Sequence, residues 1–207
     1  KIYDIFPWIE RYIYRNADGI FGQSEEIIRH VNQFPSTKNK FVYRNLQQYA
    51  VAAQPKRKHT PFRIVYAGLL GVAQDIYSII ENIPFQSIGA EFHLYGGGNQ
   101  TEKIKEYINK HPGCFVYYHG YVKKKQIAEE LSRYDASIVP LTVAIKGAVP
   151  SKIYDLIPIG IPILFCGGGE GAEIVSKYYF GMVSKPHDFK QLHNNIIELI
   201  NLPDEEY

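Results

Sequence analysis

From Phe62 onward the sequence alternates between apolar strand-like segments and amphipathic helix-like segments, and this alternation restricts the fold more than any other feature. Strand-like segments such as "FRIVYAG", "AEFHLYGGG" and "CFVYYHG" are each followed, after a short connection, by a helix-like segment. About six such pairs follow one another, which is typical of an α/β domain with a doubly wound parallel sheet and helices on both faces. The sequence therefore predicts a doubly wound α/β domain over residues 55–207.

Residues 1–54 do not continue this pattern and predict a smaller unit with a linker. An aromatic helix is expected in "KIYDIFPWIERYIYRN", short strands in "ADGIFG" and "KFVYRNL", and a helix capped by Ser24 in "SEEIIRHVNQF". The segment "QQYAVAAQPKRKHTP" is polar and basic, contains two prolines and has no periodicity. These properties predict a linker between the two units.

Composition argues against several kinds of partner and site. Lys and Arg number 23 and Asp and Glu number 21, so the net charge of +2 does not suggest nucleic acid as a partner. Cys114 and Cys166 lie far apart, which favours reduced thiols over a disulfide, and the seven histidines are scattered, so we assign no metal. Because the chain begins at Lys1 without Met, we expect a piece of a longer cytoplasmic protein.

Glycine-rich turns mark the places where a ligand is expected, since open α/β sheets bind ligands beyond the carboxyl ends of their strands. The turn "YGGGNQT" fails the dinucleotide fingerprint because Thr101 stands at the third glycine position, and a tight turn explains it better. In "FCGGGEG", Gly167–Gly169 precede a helix and offer backbone donors suited to a diphosphate. A merely flexible turn is an equally good interpretation of those glycines.

Lys152 and Asp155 lie three residues apart on one face of a short helix, which Pro158 keeps from extending. Lys152 could pair with a phosphate while Asp155 accepts hydrogen bonds from vicinal sugar hydroxyls. An ion pair on a solvated helix face is the alternative, and the residues alone leave both open.

The motifs of the chain, taken in order, resemble the nucleotide-sugar-binding half of glycosyltransferase family 4. The resemblance covers Pro61 to Leu199 and is carried by "YAGLLGVAQ", "FHLYGGG", "YYHGYVKKKQIAEELSRYDASIVPL", "VPSKIYDLIPIGIPIL", "GGGEGAEIV" and "FGMV". It implies the C-terminal half of a GT-B fold, in which two Rossmann-like domains face each other, and makes residues 1–54 the tail of the acceptor-side domain. The Gly-x-x-Gln turn and the Pro-Ser-Lys segment are similar to the branch that builds bacterial surface polysaccharides such as capsule or O-antigen.

This resemblance implies an activity and its partners. The expected reaction moves a sugar from a nucleotide-diphosphate sugar to a saccharide or lipid-linked acceptor, with retention of anomeric configuration. The resemblance implies that the enzyme needs neither a cofactor nor a bound metal, since the nucleotide-diphosphate sugar is itself the donor substrate. It implies a cytoplasmic enzyme. It also leaves open a peripheral contact with the inner face of the membrane, which the rest of the acceptor-side domain would make.

The resemblance also implies roles for single residues. Asp155 matches the second acid of the family's Glu-x7-Glu pair, the first acid is replaced by Gly147, and Leu69 stands where many members carry an Arg. The residues implied in catalysis are Lys152 and Glu173. Those implied in substrate binding are Gly71, Gln74, Gly96, Gly97, Tyr121, Val122, Ser151, Lys152, Asp155, Gly168, Gly169 and Glu170.

Three alternatives to an active transferase are considered. A nucleotide-sugar 2-epimerase shares the fold, and C2 epimerisation without an acceptor would identify it. A degenerate module that binds a nucleotide sugar without catalysis is favoured by the missing first acid. A dehydrogenase domain is disfavoured by the broken glycine fingerprint. For the 207-residue chain by itself we expect no transferase activity.

Overall fold

The computed structural model describes residues 5–34, 39–46, 58–143 and 146–203. The N-terminal unit consists of two helices and a two-stranded parallel sheet, namely α1 (Phe6–Asn16), β1 (Ile20–Gly22), α2 (Glu25–Val31) and β2 (Lys40–Val42). The helix α2 begins as its sequence predicts, because the Ser24 hydroxyl accepts the N–H of Ile27 at 3.0 Å.

The helix α1 contacts α2 and the turn that follows it through polar and aromatic side chains. Nε2 of His30 lies 2.9 Å from Oε1 of Glu10, and the rings of Tyr14 and Phe34 are 5.4 Å apart. No residue of α1 is buried, and Trp8 is 68% exposed. The aromatic helix that the sequence predicts is therefore present, with its apolar side chains on the surface of the described part of the chain.

The larger unit is a six-stranded sheet with the strand order β5-β4-β3-β6-β7-β8, in which every pairing is parallel. Its strands are β3 (Phe62–Leu69), β4 (Ala90–Gly97), β5 (Val116–Gly120), β6 (Ala136–Pro140), β7 (Ile163–Cys166) and β8 (Gly181–Ser184). The chain reverses its direction of travel across the sheet between β3 and β6. The predicted doubly wound fold is confirmed, and this reversal point is where such sheets bind ligands.

Five α-helices lie between these strands and a sixth follows β8, and together they cover both faces of the described sheet. They are α3 (Ile76–Asn82), α4 (Thr101–Lys110), α5 (Ile127–Leu131), α6 (Ser151–Leu156), α7 (Gly169–Lys177) and α8 (Phe189–Asn201). The helices α3, α4 and α8 pack on one face, and α5, α6 and α7 pack on the other. Alternate residues of β3 reach the two cores, since Ile64 lies in one and Val65 in the other.

The end of the predicted linker is anchored to the sheet domain. The Lys58 ammonium donates hydrogen bonds to the carbonyls of Ile200 and Leu202 at the end of α8. The buried Asp135 carboxylate accepts the backbone N–H of Arg63 at 2.6 Å and also contacts His59. The predicted boundary between residues 54 and 55 lies outside the described residues.

Candidate functional site

The predicted site residues come from five segments that meet at the carboxyl edge of the sheet. Gly71 and Gln74 follow β3, and Gly96 and Gly97 end β4. The other predicted residues follow β5, lie on α6, or lie at the start of α7. Since all six strands are parallel, their carboxyl ends share one edge, so the fold brings these segments to one side of the domain.

An open cavity of about 400 Å³ lies at the ends of β3 and β4. Its lining combines backbone with apolar side chains: Ala67, Gly68, Leu69, Tyr95, Gly96, Gly97, Tyr121, Val122 and Ile127. Leu69 and Tyr121 are 60% and 83% exposed, so two large side chains frame the opening. A flat, partly apolar ring such as a nucleobase matches a lining of this composition.

A second cavity of about 440 Å³ lies at the opposite end of the sheet, around Ile163, Gly181 and Leu202. Those residues stand at the amino ends of β7 and β8 and at the end of α8. We place the functional site at the carboxyl edge because the glycine turns and the partly buried charges are there.

The glycines that end β4 serve close packing of the backbone. A Cβ atom on Gly96 would lie 1.9 Å from the carbonyl oxygen of Gly68, and Gly96 has a φ of +116°. A Cβ atom on Gly97 would lie 2.2 Å from the hydroxyl of Tyr121. Any larger residue would therefore separate β4 from β3 or displace Tyr121. These glycines shape the cavity by allowing its walls to approach each other.

Lys152 places its ammonium beside the cavity. A Cβ atom on Gly68 would be 2.4 Å from this nitrogen, which also lies 5.7 Å from the ring centre of Tyr66. The hydroxyl of Tyr66 donates to the carbonyl of Leu69 at 2.7 Å and so supports the end of β3. Burial lowers the pKa of Lys152, against the opposing charge of Asp155. Within the described residues the ammonium has neither a hydrogen bond nor an ion pair.

Asp155 lies one helical turn after Lys152 and is also partly buried. Burial raises its pKa, while the charges of Lys152 and Lys124 act in the opposite direction. The helix α6 ends at Leu156 and continues as a short 3₁₀ turn that contains Pro158, as the sequence predicts. Within the described residues, these two opposite charges therefore lie one helical turn apart without a direct contact within 4 Å between them.

The turn before α7 presents fewer free backbone donors than its three glycines suggest. The N–H of Gly167 donates to the carbonyl of Ser184 at 2.9 Å, and a Cβ atom there would meet the ring of Phe165 at 2.9 Å. Gly167 is thus a packing residue, which corrects the expectation for this position. At Gly168 and Gly169 a Cβ atom would meet nothing within 4 Å, so these two residues border open space.

Glu170 has structural partners that the sequence does not reveal. Its carboxylate, 7% exposed, accepts the backbone N–H groups of Glu25 and Glu26 at 3.0 and 3.1 Å and a guanidinium N–H of Arg44 at 2.5 Å. Burial would raise its pKa, but these donors hold the pKa below its usual value. The side chain thus ties the N-terminal unit to α7, and a substrate contact of Glu170 stays a prediction.

The remaining predicted residues lie on the surface of the same edge or inside its loops. Glu173 on α7 and Ser151 at the start of α6 are exposed. The Oε1 atom of Gln74 is buried and has no hydrogen-bond partner within the described residues, while the carbonyl of Gly71 accepts the N–H groups of Gln74 and Asp75. Gly71 and Gln74 thus form a tight turn at the end of β3.

Sequence patterns did not single out Glu26 and Arg44. Oε2 of Glu26 accepts the N–H of Gly147, 121 positions further along the chain, at 2.6 Å. The guanidinium of Arg44 lies between Glu170 on α7 and the ring of Tyr154 on α6, 6.0 Å from the ring centre. No local motif marks either contact, since each joins segments that are distant in sequence.

The described ranges contain neither a candidate metal centre nor a candidate membrane span. No group of three or more His, Cys, Asp or Glu side chains among residues 5–34, 39–46, 58–143 and 146–203 could hold a metal ion. No helix in those ranges is both long and apolar enough to cross a bilayer.

Comparison with solved structures shows which fold this is. A Staphylococcus aureus TarM variant in complex with fondaparinux, alpha-GlcNAc-glycerol and UDP is 22% identical and superposes with a TM-score of 0.68 over 93% of this chain and 39% of its own. HepE from Anabaena, in complex with UDP and glucose, is 16% identical with a TM-score of 0.67 over 94% and 57%. The lipopolysaccharide outer core galactosyltransferase WaaB is 17% identical with a TM-score of 0.63 over 89% and 53%.

These neighbours are GT-B glycosyltransferases, and the chain spans between 39% and 57% of their length. No curated protein matches the chain by sequence. The family model described as "Glycosyl transferases group 1" matches residues 61–202, which is more than half of the chain. This chain therefore belongs to the group 1 glycosyl transferases.

Proposed function

We propose that this chain is the nucleotide-sugar-binding half of a retaining glycosyltransferase of family 4. The whole enzyme would move a sugar from a nucleotide-diphosphate sugar to a hydroxyl of a saccharide or lipid-linked acceptor on the cytoplasmic side of the membrane. The observation that carries the proposal is the Lys152 ammonium, which is partly buried beside an open cavity and has no anionic partner in direct contact within the described residues.

The chemistry of glycosyl transfer explains why such a cation is useful. When the bond between the sugar and the diphosphate breaks, negative charge develops on the departing diphosphate. A preorganised cation and backbone N–H groups stabilise that charge where it forms. In this proposal Lys152 supplies the cation, and the backbone around Gly168 and Gly169 borders the space for the phosphates or the sugar.

The rest of the donor fits the remaining parts of the edge. The cavity lined by Gly97, Tyr121 and Val122 would hold the base, and Asp155 would accept hydrogen bonds from the ribose hydroxyls. The TarM variant and HepE, which share the fold, are described in complex with UDP, which supports a uridine nucleotide as the first donor to test. WaaB is described as a lipopolysaccharide outer core galactosyltransferase, which supports a role in surface-polysaccharide synthesis.

A degenerate binding module is the second candidate function. The observations that favour it are the glycine at position 147, where the family's first acid is missing, and the exposed Leu69 at the position of a phosphate-binding Arg. Such a module would bind a nucleotide sugar and release it unchanged.

A calorimetric titration with UDP, GDP, ADP and UMP tests the proposal. We expect one nucleoside diphosphate to bind, and to bind at least tenfold more tightly than its monophosphate, because the second phosphate would contact Lys152. Equal affinities for UDP and UMP, or no binding of any diphosphate, would contradict a diphosphate site at this edge.

A further inference from the structure

We propose that Glu26, which belongs to the N-terminal unit, contributes a carboxylate to the donor site and accepts hydrogen bonds from hydroxyls of the transferred sugar. This inference rests on the proposed function and adds a sugar-binding residue to the same site. The observation that carries it is that Glu26 joins both segments bordering the donor site: its carboxylate contacts the Gly147 loop, and its backbone contacts Glu170 at the start of α7.

The start of α2 is held firmly against the start of α7. The N–H groups of Glu25 and Glu26 donate to the two carboxylate oxygens of Glu170, at 3.0 and 3.1 Å. Arg44 adds a charged contact to the same carboxylate. Since α7 directly follows Gly168, the backbone of Glu26 lies next to the open glycine turn.

The Glu26 side chain reaches the second loop. Its Oε2 atom accepts the N–H of Gly147, which lies in the connection between β6 and α6, at 2.6 Å. A Cβ atom on Gly147 would be 2.8 Å from a side-chain atom of Ile27, so Gly147 packs directly against α2. The Glu26 carboxylate therefore lies at the loop that leads to Lys152, while the Glu26 backbone lies at the start of α7, which follows Gly168.

The unused part of this carboxylate suits a sugar and not a phosphate. Oε1 of Glu26 has no hydrogen bond or ion pair within the described residues, and the side chain is only partly buried. A carboxylate accepts hydrogen bonds without donating any, so it matches sugar hydroxyls. It would repel a diphosphate, whose charge Lys152 is placed to neutralise. We therefore assign Glu26 to the sugar end of the donor.

The alternative is that Glu26 only ties α2 to the Gly147 loop. Glu26→Gln separates the two roles, because the amide oxygen can still accept the Gly147 N–H while the NH₂ group presents donors where the sugar needs an acceptor. Glu25→Gln is the matched control. Glu25 lies on the same turn of α2 and its backbone also binds Glu170, but its side chain is exposed and outside the donor site.

The test compares each nucleotide sugar with its free diphosphate by calorimetry, using UDP-glucose, UDP-N-acetylglucosamine and GDP-mannose against UDP and GDP. For the nucleotide sugar that binds, we expect Glu26→Gln to weaken affinity at least tenfold and to leave the affinity for the free diphosphate unchanged within twofold. Glu25→Gln should change neither. Glu26→Asp, which keeps the charge but shortens the reach, should fall between wild type and Glu26→Gln.

Each contrary outcome has a separate meaning. An equal loss for the sugar and for the free diphosphate, or no loss at all, overturns the assignment of Glu26 and leaves the diphosphate site intact. A wild-type chain that binds no diphosphate overturns the proposed function, and this assignment with it. Circular dichroism and thermal unfolding of every variant show whether folding is affected, and Glu26→Asp remains as a test if the Gln variant does not fold.

Discussion

At the scale of single residues, Lys152 costs folding free energy in the absence of a ligand. Burial lowers its pKa below the usual 10.5, so its protonated form is less favourable in the folded chain than in the unfolded one. This loss of folding free energy is present at every pH below the pKa of Lys152 in the folded chain. It declines as the pH rises from there to the pKa of the unfolded chain. A residue that destabilises the fold but suits an anion is typical of a functional site.

Lys152→Met therefore has opposite effects on stability and on binding. At pH 7 we expect the melting temperature to rise, by about 2–4 °C for each kcal/mol gained, because the variant no longer buries a charge. Affinity for UDP should fall at least tenfold, since one charge-assisted contact is worth roughly 1.5–3 kcal/mol. Thermal unfolding and calorimetry measure the two quantities. Lys125→Met, at an exposed lysine, is the control, and a lower melting temperature with unchanged UDP affinity would remove Lys152 from the site.

Asp155→Asn should weaken nucleotide binding while the fold stays intact. A carboxylate that bridges two ribose hydroxyls makes charge-assisted bonds of roughly 1.5–3 kcal/mol each, and the amide accepts through one oxygen only. A loss of about tenfold or more is expected, and Asp155→Glu should be tolerated better because it restores an acid of the usual length. Calorimetry with circular dichroism as the folding control measures this. Unchanged affinity in the Asn variant would show that Asp155 does not contact the ribose.

At the scale of secondary-structure elements, the contact between α2 and α7 depends on one buried carboxylate. Glu170 receives two backbone N–H groups from α2 and the guanidinium of Arg44, which lies next to α6. Two of these donors are the first backbone N–H groups of α2, which have no partner inside that helix. The acid at the start of α7 thus completes the start of a helix that is more than 140 residues away.

Glu170→Gln should destabilise the chain at neutral pH by about 1–3 kcal/mol, because it leaves Arg44 without its charged partner and weakens two hydrogen bonds. The pKa of Glu170 is held below its usual 4.5, so the carboxylate stabilises the fold above that pH. The stabilisation is lost as pH falls through the folded pKa, and the difference between wild type and variant should shrink there.

Urea unfolding at pH 7 and at several values below pH 4.5 measures this difference. Glu129→Gln is the matched control, because Glu129 pairs with Arg133 on the surface, where both side chains are at least 60% exposed. That variant should change stability by about 0.5 kcal/mol or less. Equal losses of unfolding free energy in the two variants would show that the contact of Glu170 stabilises the fold no more than an exposed ion pair does.

At the scale of the whole molecule, we expect the 207-residue chain to bind the donor without transferring its sugar. The chain spans 39% of the TarM variant and 57% of HepE, and in a GT-B enzyme the acceptor meets the donor between two domains. Incubation with UDP-glucose or UDP-N-acetylglucosamine and with saccharide and lipid-linked acceptors should yield no transfer product by mass spectrometry. Nucleotide binding by the same sample is the control for folding, and a detected product would refute the expectation.

Much of the fold was predictable from local sequence because its signals are local. The period of apolar residues defines each strand and helix, and Ser24 and Pro158 mark helix ends through contacts within a few residues. Once the strands are parallel, their carboxyl ends share an edge, so the positions of Lys152 and Asp155 near the glycine turns also follow from the sequence.

Tertiary structure alone decided what individual glycines and acids do, because their partners are distant along the chain. Position 96 requires glycine because the carbonyl oxygen of Gly68 lies against it. The N–H of Gly167 is unavailable to a ligand because it donates to the carbonyl of Ser184 on the neighbouring strand. Glu170 is similar to a ligand-binding acid by motif, but its oxygens bind α2 and Arg44. Hydrogen bonds and packing between remote segments leave no periodic trace in a single sequence, and only the folded chain reveals them.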